Sequence, residues 1–289
     1  MRKWIEAMRL RTLPVSISGV LAGISCAIAM GNFKFVPALL CLLFAVLAQI
    51  ASNFANEYYD YKKGVDRKGR EGFRRGVTEG DISPAGMKYA TFGSLLAAAC
   101  VGLLMLFYGS WWLIPIGACI GLFALAYSAG PYPLSHHGLG DVAVVVFFGV
   151  VPVTLTCFLQ QGSWDGIGCS LPMSVAVGMM AANVLIVNNY RDMEDDLAVG
   201  KNTTVVIYGR KAMGKAYLLS GIIASVIAAA ASAAYDIVLM APAAYAILHV
   251  ATWKRLVARS GAALNPILGE TAKNLLVFTV LLLLAAWIF

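Results

Sequence analysis

Long apolar runs recur along the whole chain and limit its fold more than any other sequence feature. Each run is close to the roughly 20 residues that an α-helix needs to cross a bilayer. Charged residues make up only 13% of the 289 residues, about half the share that is usual for soluble domains. The sequence therefore predicts one all-α polytopic membrane domain over residues 1–289. About nine transmembrane helices are expected, at 13–31, 36–58, 86–108, 111–128, 139–160, 172–190, 213–233, 237–252 and 273–289.

The basic residues fall on one side of these predicted spans. Of the 22 Lys and Arg residues, all except Lys34 lie in the N-terminal segment or in the longer polar connections. These connections are predicted as cytoplasmic loops at 59–88, 128–138, 191–215 and 252–273, because basic connections stay in the cytoplasm. We therefore predict a cytoplasmic N-terminus, an external C-terminus and a cavity that faces the cytoplasm. Residues 1–12 are expected to form an interfacial helix. The formal charge of +7 is then an orientation signal and does not indicate nucleic-acid binding.

Most acidic residues are also expected on the cytoplasmic side, and only Asp165 and Asp236 are expected outside. Two acidic clusters lie at the cytoplasmic ends of the second and sixth spans. Helical spacing puts the polar residues of each cluster on one stripe. The stripes are Asn53, Asn56 and Asp60 in the first cluster, and Asn188, Asp192 and Asp196 in the second. Both spans run from outside to inside, so the two stripes can face each other at the same depth.

Asp66 follows the first cluster but does not share its stripe if the helix continues. Six residues at about 100° each place it about 240° around the helix from Asp60. Gly64 offers a break after which the chain can fold back. The participation of Asp66 in a common site therefore requires a turn at Gly64.

Several carboxylates that face one cavity near hydrocarbon need a cation if all are to stay ionised. Asp and Asn oxygens are hard ligands, and no His or Cys belongs to either stripe, which favours Mg²⁺ over zinc. Mg²⁺ sites are typically completed by water and substrate phosphates. Two facing stripes therefore predict a pair of Mg²⁺ ions that clamp a diphosphate. The alternative interpretation is that each cluster is a helix cap with solvated charges.

The paired aspartate motifs on nine predicted helices resemble the UbiA superfamily of intramembrane prenyltransferases over essentially the whole chain. Within it, the first motif, N-E-Y-Y-D-Y-K-K-G-V-D at 56–66, is similar to the branch that prenylates 1,4-dihydroxy-2-naphthoate (MenA). The same holds for N-N-Y-R-D-M-E-D-D-L-A-V-G-K-N-T at 188–203, R-L-R-T-L-P at 9–14, V-T-E-G-D-I-S-P at 77–84 and G-P-Y-P-L-S-H-H-G-L-G-D at 130–141. Glu57 stands where Asp is commoner in that branch, and Asp141 where Glu is usual. Both departures keep the charge.

The resemblance implies one set of metal ligands for each motif. These ligands are Asn56, Asp60 and Asp66 in the first motif and Asp192 and Asp196 in the second. Asp195 is an alternative to its neighbour Asp196, and Asn188 is a further ligand candidate. Glu194 lies about 200° from Asp192 on an ideal helix and is expected to face outward.

The resemblance also implies a reaction. A polyprenyl chain would pass from polyprenyl diphosphate to 1,4-dihydroxy-2-naphthoate with loss of carbon dioxide, giving demethylmenaquinone for menaquinone biosynthesis in a bacterial-type cytoplasmic membrane. Lys and Arg side chains stabilise the charge that develops on departing pyrophosphate. The candidates for diphosphate binding are Arg74, Arg75 and Lys201. The expected catalytic residues are Asp66, Asp192, Arg74 and Lys201.

The connection after the fourth span is the expected acceptor side. The candidates that would orient the hydroxyl or carboxylate of the aromatic acid, or accept a proton, are Tyr127, His136, His137 and Asp141. The allyl cation left by the donor needs dry aromatic walls. The aromatic residues expected at that depth are Tyr58, Tyr59, Tyr127, Phe147, Phe148 and Tyr190.

Two other functions stay open at this point. One is a prenyltransferase of the same superfamily with another acceptor, such as homogentisate, hydroxybenzoate, haem or chlorophyllide, although the spacing of Asp60 and Asp66 argues against hydroxybenzoate. The other is a transporter whose acidic clusters bind a cation near the midplane. Against the transporter, the clusters lie at the ends of the predicted spans. The six cysteines have no metal-binding spacing and are expected to be core residues without disulfides.

Overall fold

A computed structural model describes residues 2–69, 72–234 and 239–288. The helices are α1 (Arg2–Ala7), α2 (Leu13–Ala29), α3 (Phe35–Lys62), α4 (Pro84–Leu104), α5 (Leu113–Ala126), α6 (Gly140–Val144), α7 (Val151–Gln161), α8 (Ile167–Arg191), α9 (Met193–Ala198), α10 (Thr204–Ala233), α11 (Met240–Val257) and α12 (Asn265–Ile288). A π-helical segment, Val145–Val150, joins α6 to α7. Within the described ranges, β-structure is limited to an isolated bridge between His137 and Asn202. Asp236, predicted outside, lies beyond these ranges.

The helices satisfy their own backbone hydrogen bonds, as a chain in a bilayer requires. Seven segments of the described chain are long and apolar enough to cross a membrane: Arg2–Ala29, Phe35–Lys62, Pro84–Phe107, Gly140–Gln161, Ile167–Arg191, Thr204–Ala233 and Gly261–Ile288. α5 has only 14 residues, and α11 carries Lys254 and Arg255 in its last turn. The predicted helical membrane fold is therefore confirmed, whereas nine spans and the N-in, C-out orientation stay predictions.

Helix ends near the polar connections differ from the predicted ones. α10 begins at Thr204, about two and a half turns before the predicted start, because the side chain of Thr203 caps it by accepting a hydrogen bond from the Val206 amide (3.4 Å). The backbone breaks at Gly209 (φ +79°), which separates a short first segment from the long apolar one. α12 begins at Asn265, so the predicted loop at 252–273 shrinks to the residues between Val257 and Asn265. Charged residues about one to two turns inside each helix, Arg210 and Lys211 in α10 and Glu270 and Lys273 in α12, conceal these starts from a hydropathy profile.

The polar connections meet at one end of the bundle, which we call the polar end. The Lys3 ammonium donates to the Asp81 carbonyl (2.5 Å), and the Asn53 amide donates to the Met8 carbonyl (3.0 Å). Arg191 reaches the side chain of Asn265 (2.9 Å). The connections predicted to share a face therefore do so in the fold.

The bundle is compact on one side and hollow on the other. Most of the buried core belongs to α2, α8, α10, α11 and α12. Close helix approach there uses glycine: a Cβ added to Gly149 would lie 2.4 Å from Cα of Gly178. No residue of α5 is buried. Between α3, α4, α5 and α7 lies a cavity of about 680 Å³, within the size range of ligand sites.

Candidate active site

Two cavities join at the polar end. The smaller one, about 160 Å³, is lined by polar side chains such as Asn56, Asn188 and Lys201 together with apolar ones, and it is called the polar pocket. The larger one, the apolar tunnel, is the cavity beside α5 and is lined almost entirely by hydrocarbon. Residues that line both are Gln49, Ser52, Tyr127, Val144 and Phe148. The combined shape suits a molecule with a charged head and a long apolar tail.

The last two turns of α3 bring the first motif to the polar pocket. Asn56 lines the pocket, and its amide donates to Oδ2 of Asp60 (3.0 Å) and to Oγ of Ser128 (2.9 Å). Its carbonyl oxygen accepts a hydrogen bond from Arg9 (2.5 Å). Oδ1 of Asp60 is buried, has no hydrogen-bond partner within the described ranges and lies 3.8 Å from Nε2 of His136. One carboxylate oxygen is therefore left for a cation or another donor.

The chain folds back at Gly64, as the participation of Asp66 requires. α3 ends at Lys62, and Gly64 takes the left-handed conformation (φ +69°) that favours glycine. The amides of Val65 and Asp66 then both point at the Asp60 carbonyl (2.9 and 3.4 Å). The Asp66 carboxylate is buried, and its Oδ2 lies 3.3 Å from Nε of Arg75, a residue that lines the polar pocket.

The second motif occupies the end of α8 and the whole of α9. Arg191 donates two short hydrogen bonds to Asp192, from Nε to Oδ1 at 2.6 Å and from Nη2 to Oδ2 at 2.7 Å. Asn188, one turn earlier, accepts from the same guanidinium (2.9 Å) and donates weakly to Asp192 (3.4 Å). Asp196 is buried, and its Oδ1 lies 3.4 Å from Nζ of Lys201. This motif is a compact network of charge-assisted hydrogen bonds.

The two motifs converge on the polar pocket in the same manner. The four buried aspartates lie behind the pocket wall, and each contacts a residue that lines it. The pairs are Asp60 with Asn56, Asp66 with Arg75, Asp192 with Asn188, and Asp196 with Lys201. The predicted stripes therefore face one cavity.

The predicted acceptor residues are divided between the pocket and its rim. Tyr127 and Asp141 line the polar pocket, and the hydroxyl of Thr204 donates to Oδ2 of Asp141 (2.6 Å). His136 faces Asp60, and its carbonyl accepts from the Asn202 amide (3.1 Å). His137 does not line the pocket: it stacks on Tyr132 (3.5 Å between ring centroids).

Several other acidic-cluster and loop residues face away from the pocket. Arg74 pairs with Asp81 (2.7 Å), and 58% of its side chain is exposed. Glu57 anchors the first connection by accepting from the Val77 amide (3.0 Å). Glu194 is 70% exposed and pairs with Arg210, which confirms its predicted outward direction. The hydrogen bonds from Arg210 lower the pKa of Glu194.

Sequence reasoning missed three residues that hold the motifs. Arg9 belongs to the N-terminal segment, lines the polar pocket and has a left-handed backbone (φ +52°), a strain often found at functional sites. Arg191 was part of the quoted motif but received no role. Phe73 lies between the guanidinium groups of Arg11 and Arg191 (4.6 and 5.1 Å). Arg9 and Arg191 each had a signal in their places within the R-L-R-T-L-P segment and the second motif, whereas Phe73 had none.

The donor set fits a hard divalent cation that shares its coordination with a substrate. Within the described ranges, no three His, Cys, Asp or Glu side chains lie close enough to hold a metal by themselves. Each motif instead offers two buried aspartates and an asparagine, which are Asp60, Asp66 and Asn56 in the first motif and Asp192, Asp196 and Asn188 in the second. Mg²⁺ is usually bound by one or two carboxylates, with water and phosphate completing its shell. The buried Oδ1 of Asp60, which accepts no hydrogen bond in the described part of the chain, agrees with such a site.

Comparison with known proteins gives consistent relatives. A profile of the UbiA prenyltransferase family matches residues 16–268. The 1,4-dihydroxy-2-naphthoate octaprenyltransferase of Haemophilus influenzae is 35% identical over 217 residues, 72% of this chain and 70% of that protein. The Escherichia coli protein of the same name is 35% identical over 212 residues, 71% of this chain and 68% of that protein.

The fold also has solved counterparts. A UbiA homologue from Archaeoglobus fulgidus, solved with GPP and Mg²⁺ bound, superposes with a TM-score of 0.62 at 16% identity. The alignment covers 97% of this chain and 99% of that one. At this identity the likeness concerns the fold.

Proposed function

This chain belongs to the UbiA prenyltransferase family, and from that premise we propose that it transfers a polyprenyl group from polyprenyl diphosphate to 1,4-dihydroxy-2-naphthoate. Carbon dioxide is lost in the reaction, and the immediate product is demethylmenaquinol, the hydroquinone form of demethylmenaquinone, which is a precursor of menaquinone. The relatives from H. influenzae and E. coli are named for that transfer. The observation that carries the proposal is the junction of an apolar tunnel with a polar pocket that both aspartate motifs surround.

The proposed cofactor is Mg²⁺, as two ions. Asn56, Asp60 and Asp66 hold one ion, and Asp192 and Asp196 hold the other. Asp196 is preferred to Asp195 because it is buried beside Lys201, whereas Asp195 is partly exposed. When bound, the ions neutralise the charge that develops on the departing pyrophosphate.

The protein also has positively charged side chains that can bind the diphosphate. Arg9, Arg75 and Lys201 all line the polar pocket, and their donors can bind phosphate oxygens. Arg75 and Lys201 have side chains that are only 12% and 10% exposed, so little water competes with the substrate. Arg75 is a better candidate than Arg74, because Arg74 is largely exposed and does not line the polar pocket.

The junction of the two cavities is where the allyl cation and the acceptor ring meet. Tyr127 and Phe148 line both cavities, and Phe147 lines the tunnel. Their rings exclude water and offer π-faces to a cation. Oδ1 of Asp141 has no hydrogen-bond partner among the described residues, while Thr204 fixes Oδ2. We therefore propose that Oδ1 of Asp141 accepts a hydrogen bond from a naphthol hydroxyl. This hydrogen bond orients the ring so that the carbon bearing the carboxylate faces the allyl cation.

The protein is an integral membrane protein, and we propose that its polar end faces the cytoplasm of a bacterial-type membrane. The polar end carries nearly all of the basic residues, and basic connections are retained in the cytoplasm. The charged diphosphate and the aromatic acid would then reach the polar pocket from the cytoplasmic side, with the prenyl tail in the apolar tunnel.

The proposal is tested with the purified protein in detergent, octaprenyl diphosphate, Mg²⁺ and a panel of aromatic acids. We expect pyrophosphate release with 1,4-dihydroxy-2-naphthoate, accompanied by one carbon dioxide for each pyrophosphate. Prenylation of a different acid, with none of the naphthoate, would overturn the acceptor assignment. If no acid in the panel supported metal-dependent pyrophosphate release, the transferase assignment itself would fail.

A further inference from the structure

The short helix α5 forms one wall of the apolar tunnel. Its exposure pattern repeats with helical periodicity. The partly buried positions are Leu113, Ile116, Gly117, Ile120, Gly121, Ala124 and Leu125, and the other positions of α5 are exposed. Gly117 and Gly121 therefore lie one turn apart on the inner face, and both line the tunnel.

These two glycines differ from the glycines at close helix contacts, such as Gly23 and Gly178. A Cβ on Gly23 would lie 2.6 Å from the Val153 carbonyl oxygen, and one on Gly178 would lie 2.6 Å from the Val145 carbonyl oxygen. Those glycines are needed for close packing. A Cβ on Gly117 or Gly121 would meet nothing within 4 Å. Packing thus does not explain them.

Backbone conformation does not explain them either. Neither Gly117 nor Gly121 has a positive φ, since both belong to the regular part of α5. Glycine inside a helix costs about 1 kcal/mol relative to alanine. What the two residues provide in return is empty volume inside the bundle, on the path that leads from Tyr127 into the tunnel.

We propose that Gly117 and Gly121 set the length of prenyl chain that the tunnel accepts. The inference rests on the proposed function, because it concerns the donor of that reaction. At 1.5 Å per residue, Gly121 lies about 9 Å and Gly117 about 15 Å along the helix from Tyr127. A side chain at either position projects into the path of the prenyl tail, at two different depths.

The test uses Gly121→Leu and Gly117→Leu, with Gly93→Leu as the matched control. Gly93 is also a helical glycine with nothing within 4 Å of its Cβ, but it lies on the exposed face of α4 and does not line the tunnel. Each protein is assayed with dimethylallyl, geranyl and octaprenyl diphosphate and the same acceptor. The readout is the ratio of kcat/KM between donors, which cancels a general loss of activity.

We expect the ratio of octaprenyl to dimethylallyl turnover to fall at least about tenfold in both tunnel variants, since one methylene group in an apolar pocket discriminates by about 10- to 200-fold. Gly121→Leu also lowers the ratio of geranyl to dimethylallyl turnover, whereas Gly117→Leu leaves that ratio closer to wild type because it lies deeper. Gly93→Leu keeps all ratios. Leucine is a better helix former than glycine, so the variants are expected to fold, and thermal unfolding in detergent checks this.

Unchanged ratios in folded tunnel variants overturn the inference, as does the same shift in Gly93→Leu. If a leucine variant does not fold, Gly121→Ala and Gly117→Ala carry the test, with a smaller shift expected in the same direction. These outcomes are distinct from failure of the proposed function. If the wild-type protein releases no pyrophosphate with any donor, the proposed function is overturned. If the wild-type protein is active but the tunnel variants keep the wild-type ratios between long and short donors, only this inference is overturned.

Discussion

The two aspartate motifs look alike in the sequence but are supported in different ways. In the first motif the partners come from distant segments: Arg9 bonds Asn56 across 47 positions, and Ser128 bonds it across 72. In the second motif the aspartates are held by residues close to them in sequence, since Arg191 pairs with the adjacent Asp192, and Lys201 lies five positions after Asp196 and contacts it. The resemblance between the motifs is therefore one of ligand type and not of support.

This difference also affects how each motif can receive a cation. Both oxygens of Asp192 are engaged by Arg191 at 2.6 and 2.7 Å. Oδ1 of Asp60 has no hydrogen-bond partner within the described ranges. A metal ion at Asp192 must share that carboxylate with the positively charged Arg191, whereas one at Asp60 meets an oxygen that accepts no hydrogen bond in the described part of the chain. We therefore expect the first motif to bind Mg²⁺ more tightly.

The largest expected effect comes from removing one carboxylate charge in each motif. Asp60→Asn and Asp192→Asn should each slow pyrophosphate release by about 10²- to 10³-fold, the usual cost of losing one group that stabilises developing charge. The measurement is the single-turnover rate at saturating Mg²⁺. Similar losses would show that the motifs act together despite their different supports.

The matched control is Asp165→Asn, since Asp165 is exposed, follows α7 and bonds only Ser163 among its described hydrogen bonds. Its rate should stay within about twofold of wild type, as for most surface changes. If Asp60→Asn or Asp192→Asn matched that control, the two-metal site would be refuted.

A smaller effect should separate the motifs by their distant and local support. Arg9→Ala removes the hydrogen bond to Asn56 and a cation from the polar pocket. Loss of a partner that orients a metal ligand typically costs about 10- to 100-fold in affinity or activity. We expect the Mg²⁺ concentration for half-maximal rate to rise by that factor.

The control in the second motif is Arg210→Ala. Arg210 pairs with the exposed Glu194 and does not line the polar pocket. Its Mg²⁺ requirement should be that of wild type. An equal rise in both variants would mean that net positive charge, and not the support of Asn56, controls the metal.

The sequence predicted those features that depend on local patterns. Apolar length predicted the helices, and 100° spacing predicted that Asp192 and Asp196 are buried while Glu194 faces outward. The turn at Gly64 was also predictable, because a glycine stood where the chain had to reverse. Each of these features is decided within about two helical turns.

The sequence did not predict the features that tertiary packing decides. Nothing local links Arg9 to Asn56, or Phe73 to Arg191. The π-helical Val145–Val150 segment lies inside an uninterrupted apolar run, so periodicity did not reveal it. Arg74 and Arg75 are adjacent and identical in type, yet only the second lines the polar pocket.

A further comparison concerns the turn that ends each motif. Gly64 and Gly200 have the same left-handed φ of +69°, and a Cβ on either would meet nothing within 4 Å. Gly64→Ala and Gly200→Ala should each lower the free energy of unfolding by about 1–2 kcal/mol, the cost of that conformation for a residue with a Cβ. Unfolding in mixed micelles measures it.

Gly93→Ala provides the control, because Gly93 is helical and alanine should stabilise it. The turns are equivalent if the two losses agree. A loss at Gly64 alone would mean that the turn of the second motif relaxes when its glycine is replaced, so that only the first motif depends on its turn.

The smallest expected effect belongs to Glu194, which lies beside the buried acids of the second motif but faces outward. Its carboxylate pairs with Arg210, and those hydrogen bonds lower its pKa. Because the folded pKa lies below the unfolded one, the stabilisation is present above the unfolded pKa and is lost as the pH falls through the folded pKa. Glu194→Gln should therefore cost at most about 1 kcal/mol at neutral pH and nothing in acid, when both are measured as unfolding free energies. Its turnover should match wild type, since a helix that turns by 100° per residue puts Glu194 and Asp196 on different faces. A loss of turnover as large as that of Asp192→Asn would show that all the acidic residues of the second motif act together as one charge. The distinction between the metal ligands Asp192 and Asp196 and the solvated Glu194 would then be wrong.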